Sequence, residues 1–280
     1  MKSYLIVGAL LLVIIALLAT NKKLVETVKN IFKIEELRKR LIYTCLLILV
    51  YRLGCYVVIP GIDPNLLGEG SALANQMDSN SLLGLLNVFS GGAFANAAIF
   101  ALGVMPYITA SIIIQLLGMM VPAVQKVMKE GESGRRKMNQ WTRLLTIGVL
   151  ALQGPAYVAN LYHQMPEAFV YGNTFIFTVY ATIILIAGTM FVVWLGEKIT
   201  DKGIGNGVSL IIMIGIVARL PHALLAELSA RIYTSTGSLI MIIVELVLLF
   251  LVFMATIAVV QAVRKVPVQY AKRIVGNKQY

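Results

Sequence analysis

Charged residues are scarce in this chain of 280 residues, where they make up 13% of the sequence. So few charges cannot cover a soluble globular domain with polar surface, which argues against that class. Hydrophobic residues make up 59%, and continuous apolar runs of about 20 residues recur, each long enough to cross a bilayer as a helix. The sequence therefore predicts an all-α polytopic membrane protein, since outer-membrane strands alternate polar and apolar residues instead.

Residues of catalytic and metal-binding types are also few and scattered. His163 and His222 both fall in predicted outer loops, and Cys45 and Cys55 lie ten residues apart in one apolar run. That spacing is about 15 Å along a helix, which is too far for a disulfide. The sequence has no serine–histidine–aspartate set, no paired carboxylates and no metal-ligand spacing. It therefore supports neither an enzyme nor a metal centre nor a bound cofactor.

A phosphate-binding loop is missing as well. The turn Gly203-Ile-Gly-Asn-Gly207 is rich in glycine, but no strand precedes it and no Gly-Lys-Ser/Thr follows it. The GxGxxG spacing of dinucleotide-binding loops is also absent. We interpret the three glycines as permitting a tight turn and a close approach of two backbones.

Six apolar runs form the predicted core of membrane spans. Four of the loops between and after them are rich in Lys and Arg and together hold 20 of the 24 basic residues. Because cytoplasmic loops collect basic residues, these four are predicted to be cytoplasmic. The predicted spans are 41–59, 97–121, 144–162, 173–196, 204–220 and 239–262. The basic loops are 21–40, 122–143, 197–206 and 263–280.

The remaining loops carry almost no positive charge. Loops 61–98 and 163–172 contain no Lys or Arg, and 221–238 contains only Arg231. The alternation predicts that the long loop 61–98 lies outside. It also accounts for most of the net charge of +11 without nucleic acid as a partner.

Two further segments precede the core spans. Residues 1–20 contain an apolar run from 4 to 20, but only Lys2 precedes it and no small-residue cleavage site of a signal peptide follows it. We favour an extra spanning helix, or an extension that the core does not need. Residues 21–40 place apolar side chains among basic ones at near-helical spacing, which predicts an amphipathic helix at the membrane interface. A solvated charged connector is the alternative.

Residues 82–121 divide into two apolar pieces. The first, Leu82–Phe89, is far too short to span a bilayer, whereas 97–121 is long enough. Between them Ser90-Gly91-Gly92 releases the backbone from helical angles. The pattern leaves two interpretations: a re-entrant half-helix beside a full span, as at transport pathways, or a surface turn of the outer loop. Pro106 also predicts a kink in mid-span.

Two charged residues lie inside predicted spans, Arg52 in the first and Glu245 in the last. A charge in a membrane is costly, so each indicates a function or a partner. Arg52 either extends to the interface or pairs within the protein, and Glu245 either pairs with Arg52 or contacts a partner helix. Thr109, Ser111 and Gln115 make the second span more polar, where they line a wet crevice or bond to neighbouring helices.

Seven short motifs occur along the chain from about residue 31 to residue 280. They are Pro60-Gly-Ile-Asp63, Phe89-Ser-Gly-Gly92, IFALGVMPYITAS at 99–111, KEGESGRRK at 129–137, Trp194-Leu-Gly-Glu197, Gly203-Ile-Gly-Asn-Gly207 and Gln269-Tyr-Ala-Lys-Arg273. Each motif alone is weak, but their combination is highly specific. In order and spacing the chain closely resembles the amino-terminal half of the bacterial SecY family, the channel subunits of the Sec protein translocase.

The resemblance implies a SecY-type helical bundle of ten spans in two inverted halves. This chain would hold the first half, 41–220, and the sixth span within 221–280. The family's plug, a re-entrant half-helix, corresponds to residues 82–92. The side chains and backbone of this plug would come from Leu82, Leu83, Leu85, Leu86, Asn87, Val88, Phe89, Ser90, Gly91 and Gly92.

The family's pore ring is a set of bulky aliphatic side chains at the waist of the channel. The motifs place it on pairs of residues four apart, which share a helix face. A collar of apolar groups excludes ions by dewetting and yet does not bind a passing polypeptide. Ordinary packing of the bundle is the alternative for these side chains. The implied ring residues are Val104, Ile108, Val208 and Ile212.

The resemblance also implies a lateral gate towards lipid, carrying Thr109 and Gln115, and cytoplasmic loops that contact the ribosome or the SecA motor. Basic residues in these loops would attract ribosomal RNA phosphates, although they also fix the topology. They are Arg135, Arg136, Lys137, Arg264, Lys265, Lys272 and Arg273. The other implied partners are the SecE and SecG subunits, unfolded secretory and membrane proteins, and membrane lipid. The implied location is the cytoplasmic (inner) membrane.

Two features depart from the family. Its members continue for four more spans, and residues 1–20 form an extra apolar run. We expect an incomplete or mis-started reading frame, or a fragment, rather than a natural half-channel. The resulting hypothesis is a protein-conducting channel subunit that is not an enzyme. The alternatives are a non-functional fragment and a transporter of a small solute, which would need clustered polar residues near mid-membrane.

Overall fold

The computed structural model describes residues 30, 32–67, 82–170, 174–233, 239–263, 274–275 and 278–279. This part of the chain is almost entirely helical, which confirms the predicted all-α class. Its α-helices are α1 (Glu35–Gly54), α2 (Leu82–Phe89), α3 (Met105–Met120), α4 (Pro122–Lys129), α5 (Glu132–Gln164), α6 (Thr174–Lys202), α7 (Gly207–Tyr233) and α8 (Leu239–Gln261). Short 3-10 helices occur at Pro64–Leu66 and Pro166–Ala168, and β1 (Ile274–Val275) pairs antiparallel with β2 (Lys278–Gln279).

The described residues belong to two compact units, one ending at Ala223 and the other beginning at Leu224. Helix α7 continues across this boundary. The predictions for residues 1–20, for most of the interfacial helix and for the basic residues between 264 and 273 lie outside the described residues. Residues 82–104 and the helices packed around them up to Ala223 lie within the first unit.

Helices α5 and α6 are the two helices of the described chain that are individually long and apolar enough to cross a membrane. Helix α5 contains the whole predicted span 144–162, and α6 contains the predicted span 173–196 except for residue 173. Both helices extend beyond these spans. The two helices approach closely at Gly154, where an added Cβ would lie 2.8 Å from the side chain of Thr182. Leu152 remains 79% exposed on α5. Helices of this length with apolar outer faces are suited to contact with lipid.

Helix α1 begins and ends earlier than the predicted span 41–59. It starts at Glu35, whose carboxylate pairs with Lys39 at 2.8 Å, so its first turns belong to the segment predicted to lie at the interface. It ends at Gly54, and residues 57–59 then run alongside 97–99, where the N–H of Ile59 donates to the carbonyl of Ala97 at 2.9 Å. The prediction of a helix up to residue 59 is therefore wrong at its last five residues.

The predicted span 97–121 is also shorter than expected. Residues 97–104 form a bridge and turns, with Gly103 at a φ of 51°, and α3 begins only at Met105. Pro106 consequently lies in the first turn, where its missing N–H removes no helical hydrogen bond. The predicted kink in mid-span is wrong for this reason. The sharp change of direction comes instead after Met120, where α4 leaves α3 at 102°.

Helices α7 and α8 differ in how well their bounds agree with the predicted spans. Helix α8 matches the predicted sixth span 239–262 to within one residue. Helix α7 begins inside the predicted fifth span 204–220 and continues to Tyr233 with Pro221 in its interior. Residues 221–233, predicted as part of the outer loop 221–238, are therefore helical.

Candidate functional site

The candidate site surrounds residues 90–104, which connect α2 to α3 through the interior of the first unit. Ala93, Ala97, Ala98 and Ala101 in this connection are completely buried. They belong to two clusters of buried apolar side chains, one centred on α5 and α6 and the other on α1, α6 and α7. Small side chains let an irregular backbone lie between packed helices. Such a backbone must find hydrogen-bond partners within the protein.

Asn87 and Ser90 supply several of these partners at the end of α2. The Asn87 amide oxygen accepts the N–H of Ala95 at 3.1 Å. The Ser90 hydroxyl donates to the Asn87 carbonyl and accepts the N–H of Phe94, each at 3.1 Å. From α5, the Tyr157 hydroxyl donates to the Phe94 carbonyl at 2.9 Å. Asn87 and Ser90 are each 4% exposed, so this end of α2 is buried within the unit.

Gly91 and Gly92 form the break that the sequence predicts. Their φ values are 67° and 93°, in the region that glycine adopts without strain. Two side chains of α1 bind the carbonyls here: Arg52 donates from Nη1 to Gly91 at 3.1 Å, and the Tyr51 hydroxyl donates to Ser90 at 3.4 Å. Arg52 therefore pairs within the protein, which is one of the two alternatives that its position in the sequence leaves open.

One face of α7 connects the predicted ring to the end of α2. Val208, Ile212, Gly215 and Arg219 follow each other at spacings of four, three and four residues and so share this face. An added Cβ at Gly215 would lie 3.0 Å from the carbonyl oxygen of Phe89. The missing side chain at position 215 thus allows the end of α2 to lie directly against α7.

The start of α7 is fixed by the glycine-rich turn. An added Cβ at Gly207 would lie 2.0 Å from the carbonyl oxygen of Gly196 on α6. The Thr200 hydroxyl accepts the N–H of Gly207 at 2.9 Å, and the Asn206 side chain accepts the N–H of Val208 at 3.1 Å as a helix cap. The predicted close approach of two backbones is confirmed, and it holds Val208 near α6.

The four predicted ring residues meet in one apolar cluster. Val104, immediately before α3, is 5% exposed. Ile108 on α3 and Val208 and Ile212 on α7 are partly buried against the same cluster. This arrangement suits a ring and ordinary bundle packing equally, so the ring assignment stays a prediction.

A polar cavity of about 480 Å³ lies beside these residues. Ile108 and Val208 form part of its apolar lining, while Ser111 and an ion pair supply polar groups. In the ion pair, Arg143 of α5 binds both carboxylate oxygens of Glu197 on α6, with a distance of 3.1 Å from Nε to Oε1. Hydrophobic constrictions block ions by dewetting, and apolar side chains beside a polar chamber are compatible with such a constriction.

The two predicted gate residues line different cavities. Gln115 faces the polar cavity, whereas Thr109 lines a more apolar cavity of about 340 Å³ between α2, α3 and α5. Residues six apart on a helix point about 120° away from each other, so one wall cannot contain both. Both also bond within α3, Thr109 to the Met105 carbonyl and Gln115 to the Ser111 hydroxyl. Their role in a lateral gate stays a prediction.

The predicted docking residues are only partly described. Arg136 pairs with Glu132 at 3.8 Å and Lys137 with Glu130 at 3.1 Å, while Arg135 lines the polar cavity. All three are exposed near the start of α5. The other predicted docking residues, Arg264, Lys265, Lys272 and Arg273, lie outside the described residues.

Among the side chains that the structure describes, no group of three or more His, Cys, Asp or Glu residues comes together to hold a metal ion. Cys45 is exposed and Cys55 is buried, and both are free thiols.

The sequence did not identify Gly215 or the partner of Arg52. The position of Gly215 is recoverable from its helical spacing after Val208 and Ile212, which places it on the face of the predicted ring. The acceptor for Arg52 lies on Gly91, 39 residues away. No local pattern connects two such positions, so only the packing of α1 against the turn reveals this contact.

Comparison with known proteins gives consistent results. The SecY family model matches residues 98–280. The protein translocase subunit SecY of Streptomyces scabiei is 43% identical over 262 residues, which cover 89% of this chain and 58% of the relative. That of Thermotoga maritima is 38% identical over 257 residues, covering 91% and 58%. That of Buchnera aphidicola subsp. Acyrthosiphon kondoi is 42% identical over 247 residues, covering 88% and 68%.

Among solved structures, Sec61 in the canine ribosome–channel complex from the endoplasmic reticulum is 19% identical, with a TM-score of 0.43 over 64% of this chain and 36% of Sec61. The chain spans a little over half the length of the first curated relatives that it matches. The family model covers more than half of the chain, and relatives of about 40% identity extend the match to most of it. These matches make the chain, a multi-pass membrane protein, a member of the SecY family.

Proposed function

We propose that this chain forms part of the wall of a protein-conducting channel in the cytoplasmic membrane. Unfolded secretory polypeptides would cross the membrane through this channel, and apolar segments would leave it sideways into lipid. Membership of the SecY family supports the class of activity. The observation that carries the assignment to residues is the apolar cluster of Val104, Ile108, Val208 and Ile212 beside a polar cavity.

The chemistry of this cluster suits a channel with varied substrates. Polar or charged side chains at the narrowest point would bind some segments of a passing polypeptide and slow them. Aliphatic side chains offer no such binding and exclude ions when no polypeptide is present. The ring in this proposal consists of Val104, Ile108, Val208 and Ile212, with the plug formed by residues 82–92.

The plug assignment is supported by how α2 ends. The helix is only 8 residues long, and its last turn lies against Gly215, on the face of α7 that also carries Val208 and Ile212. Displacing α2 would therefore uncover the same face from which two ring residues project. A short helix connected by glycines to the rest of the protein can move without unwinding a spanning helix.

The proposed partners are inferred from membership of the SecY family and from the positive charges on the predicted cytoplasmic side of the protein. SecE and SecG would complete the complex, while SecA or the ribosome would bind on the predicted cytoplasmic side. Exposed Arg135, Arg136 and Lys137 support that side of the proposal, since clustered cations attract nucleic-acid phosphates or acidic protein surfaces. The driving energy would come from these partners or from the proton gradient, so no catalytic residue is assigned to this chain.

Ion conductance tests the ring assignment directly. Ile108→Ser and Ile212→Ser would each place a hydroxyl in the proposed apolar barrier, so water and ions should enter the resting channel. Ile113→Ser and Val217→Ser are matched controls, because each lies five residues further along the same helix and so points about 140° away from the tested side chain. The measurement is resting conductance in planar bilayers of a complete SecY-family channel that carries this segment.

We expect conductance to rise in the two ring variants and to stay at the unmodified level in the two controls. A tight seal in both ring variants, with the proteins folded and able to translocate a secretory precursor, would contradict the ring assignment. Failure of the unmodified channel to translocate any precursor would contradict the proposed function itself.

A further inference from the structure

Among the described residues, Arg52 is bound to the backbone of the proposed plug and not to a carboxylate. Its Nη1 donates to the Gly91 carbonyl at 3.1 Å, and the Tyr56 ring lies 5.8 Å from the guanidinium carbon. Within the described chain Arg52 takes part in none of the ion pairs. A guanidinium in a predicted span needs a strong acceptor, because its loss of hydration is costly. The Gly91 carbonyl is that acceptor.

The Gly91 carbonyl has Arg52 as its donor in turn. Gly91 lies two residues beyond the end of α2, outside the hydrogen bonds of the helix. In this turn, no backbone N–H of a described residue donates to Gly91. Arg52 and Gly91 therefore satisfy each other across 39 residues of sequence.

Helix α7 contacts the same turn. An added Cβ at Gly91 would lie 3.0 Å from the Cα of Gly215 and 2.8 Å from Nη1 of Arg52, so the turn fills the space between the two helices. A second guanidinium is close as well, because Nε of Arg219 lies 3.8 Å from the position of a Cβ on Gly92. The contact with α7 is close packing of the two backbones, whereas the contact with α1 is a hydrogen bond.

We propose that Arg52 is a positioning residue that keeps the plug closed by donating a hydrogen bond to the Gly91 carbonyl. The inference rests on the proposed role of residues 82–92 as a plug. A plug must leave whenever a polypeptide passes, so its attachment has to be specific and yet reversible. One hydrogen bond from a half-buried guanidinium meets this need, because water can take the place of the carbonyl when the plug moves.

The test removes the donor and then restores part of it. Arg52→Met keeps an apolar stem but no donor, Arg52→Gln keeps a neutral donor, and Arg52→Lys keeps a charged donor with shorter reach. Arg38→Met is the control, because it removes the same charge from an exposed position on α1. Each variant is made in a complete SecY-family channel that carries this segment, and resting conductance in planar bilayers is measured.

A second readout follows the plug itself. A cysteine replaces the half-buried Val88 in a Cys45→Ser/Cys55→Ala background, and its reaction with a membrane-impermeant maleimide reports how often the plug opens. We expect Arg52→Met to raise both the labelling rate and the conductance about tenfold, the factor typical of one lost hydrogen bond to a charged group. Arg52→Lys should fall between Arg52→Met and the unmodified channel, and Arg38→Met should match the unmodified channel.

A combined variant separates plug positioning from a general effect on folding. Gly215→Ala would push on the Phe89 carbonyl and loosen the same turn. If Arg52 holds the plug closed, Arg52→Met should raise plug opening further when it is combined with Gly215→Ala. No further opening in a folded double variant, compared with a Gly215→Ala variant whose plug is still mostly closed, would contradict the proposal.

The results also distinguish this inference from the proposed function. If Ile108→Ser conducts ions while folded Arg52→Met and Arg52→Gln are as tight as the unmodified channel, the proposed role of Arg52 is wrong. The proposed channel function is then unaffected. If neither leaks and no precursor is translocated, the proposed function is wrong. Equal leakage in Arg52→Met and Arg38→Met would also overturn the role of Arg52, because it would reflect charge alone.

Discussion

Helices α5 and α6 satisfy their polar groups in a different way from residues 82–104. In the two helices, the buried Thr146 and Thr182 hydroxyls donate back to their own helix, to the carbonyls of Thr142 and Thr178, each at 2.7 Å, whereas the buried Thr189 hydroxyl has no partner among the described residues. In residues 82–104, polar groups bond partly to Asn87 and Ser90 within the segment and partly to side chains distant in sequence, such as Tyr157 at the Phe94 carbonyl.

The difference determines how each region tolerates change. A continuous helix keeps its backbone hydrogen bonds when its neighbours shift, since they are all internal to it. An irregular buried segment loses bonds as soon as a partner is removed. Residues 82–104 are therefore expected to be more sensitive to single substitutions, and also better suited to a movement that exchanges one set of partners for another.

The largest expected effect lies where the two regions meet. A Cβ added at Gly188 on α6 would lie 2.1 Å from the carbonyl oxygen of Ile99, whereas one added at Gly148 on α5 would meet no atom within 4 Å. We expect Gly188→Ala to lower the unfolding free energy by about 3 kcal/mol, because backbone would have to move. Gly148→Ala should raise it by up to about 1 kcal/mol through helix propensity.

Unfolding of both variants in detergent micelles, followed by helical circular dichroism during titration with SDS, provides the comparison. Equal stability of the Gly188 and Gly148 variants would show that residues 97–99 do not pack on α6 as closely as described.

A smaller difference is expected between two buried polar side chains. Asn87→Leu would leave the buried N–H of Ala95 without its acceptor, at a cost of about 2 kcal/mol. Thr146→Val removes a hydroxyl whose carbonyl partner on Thr142 still lies in a helix, so the expected loss is below about 1 kcal/mol. The same SDS titration measures both. A larger loss of unfolding free energy for Thr146→Val than for Asn87→Leu would contradict the expectation that residues 82–104 are the more sensitive region.

The smallest effect is expected for the ion pair between α5 and α6. The side chains of Arg143 and Glu197 are 47% and 24% exposed, so water and salt weaken their attraction. A double-mutant cycle with Arg143→Met and Glu197→Gln should give a coupling energy of about 1 kcal/mol or less, decreasing with added salt. A coupling of several kcal/mol would mean that charge, and not apolar packing, joins these two helices.

The sequence predicts the continuous helices well and the broken segment poorly. The runs that became α5, α6 and α8 are predominantly apolar, and a long apolar run in a membrane has few alternatives to a helix. The run 97–121 looks equally apolar, but its first residues pair with 57–59 and turn at Gly103 before α3 begins. Alanine and glycine suit both a helix and a tightly packed turn, so hydropathy alone cannot separate them.

The candidate site divides in the same way. Short motifs place the ring on Val104, Ile108, Val208 and Ile212, and helical spacing puts each pair on one face. Gln115 and Thr109 are grouped by the same reasoning, but they line separate cavities because they point about 120° apart around α3. Spacing within one helix is predictable from sequence, whereas the neighbour that each face meets is not.

The sequence by itself determines that the chain is helical, that it belongs in a membrane and that a glycine break interrupts residues 82–121, because composition and backbone freedom are local properties. Tertiary structure alone decided that the break lies between α1 and α7 and that Arg52 binds Gly91. The physical reason is that a carbonyl outside helical hydrogen bonds accepts from any donor that packing brings within reach. Which donor arrives depends on how separate helices pack together, and no local pattern along the chain encodes that.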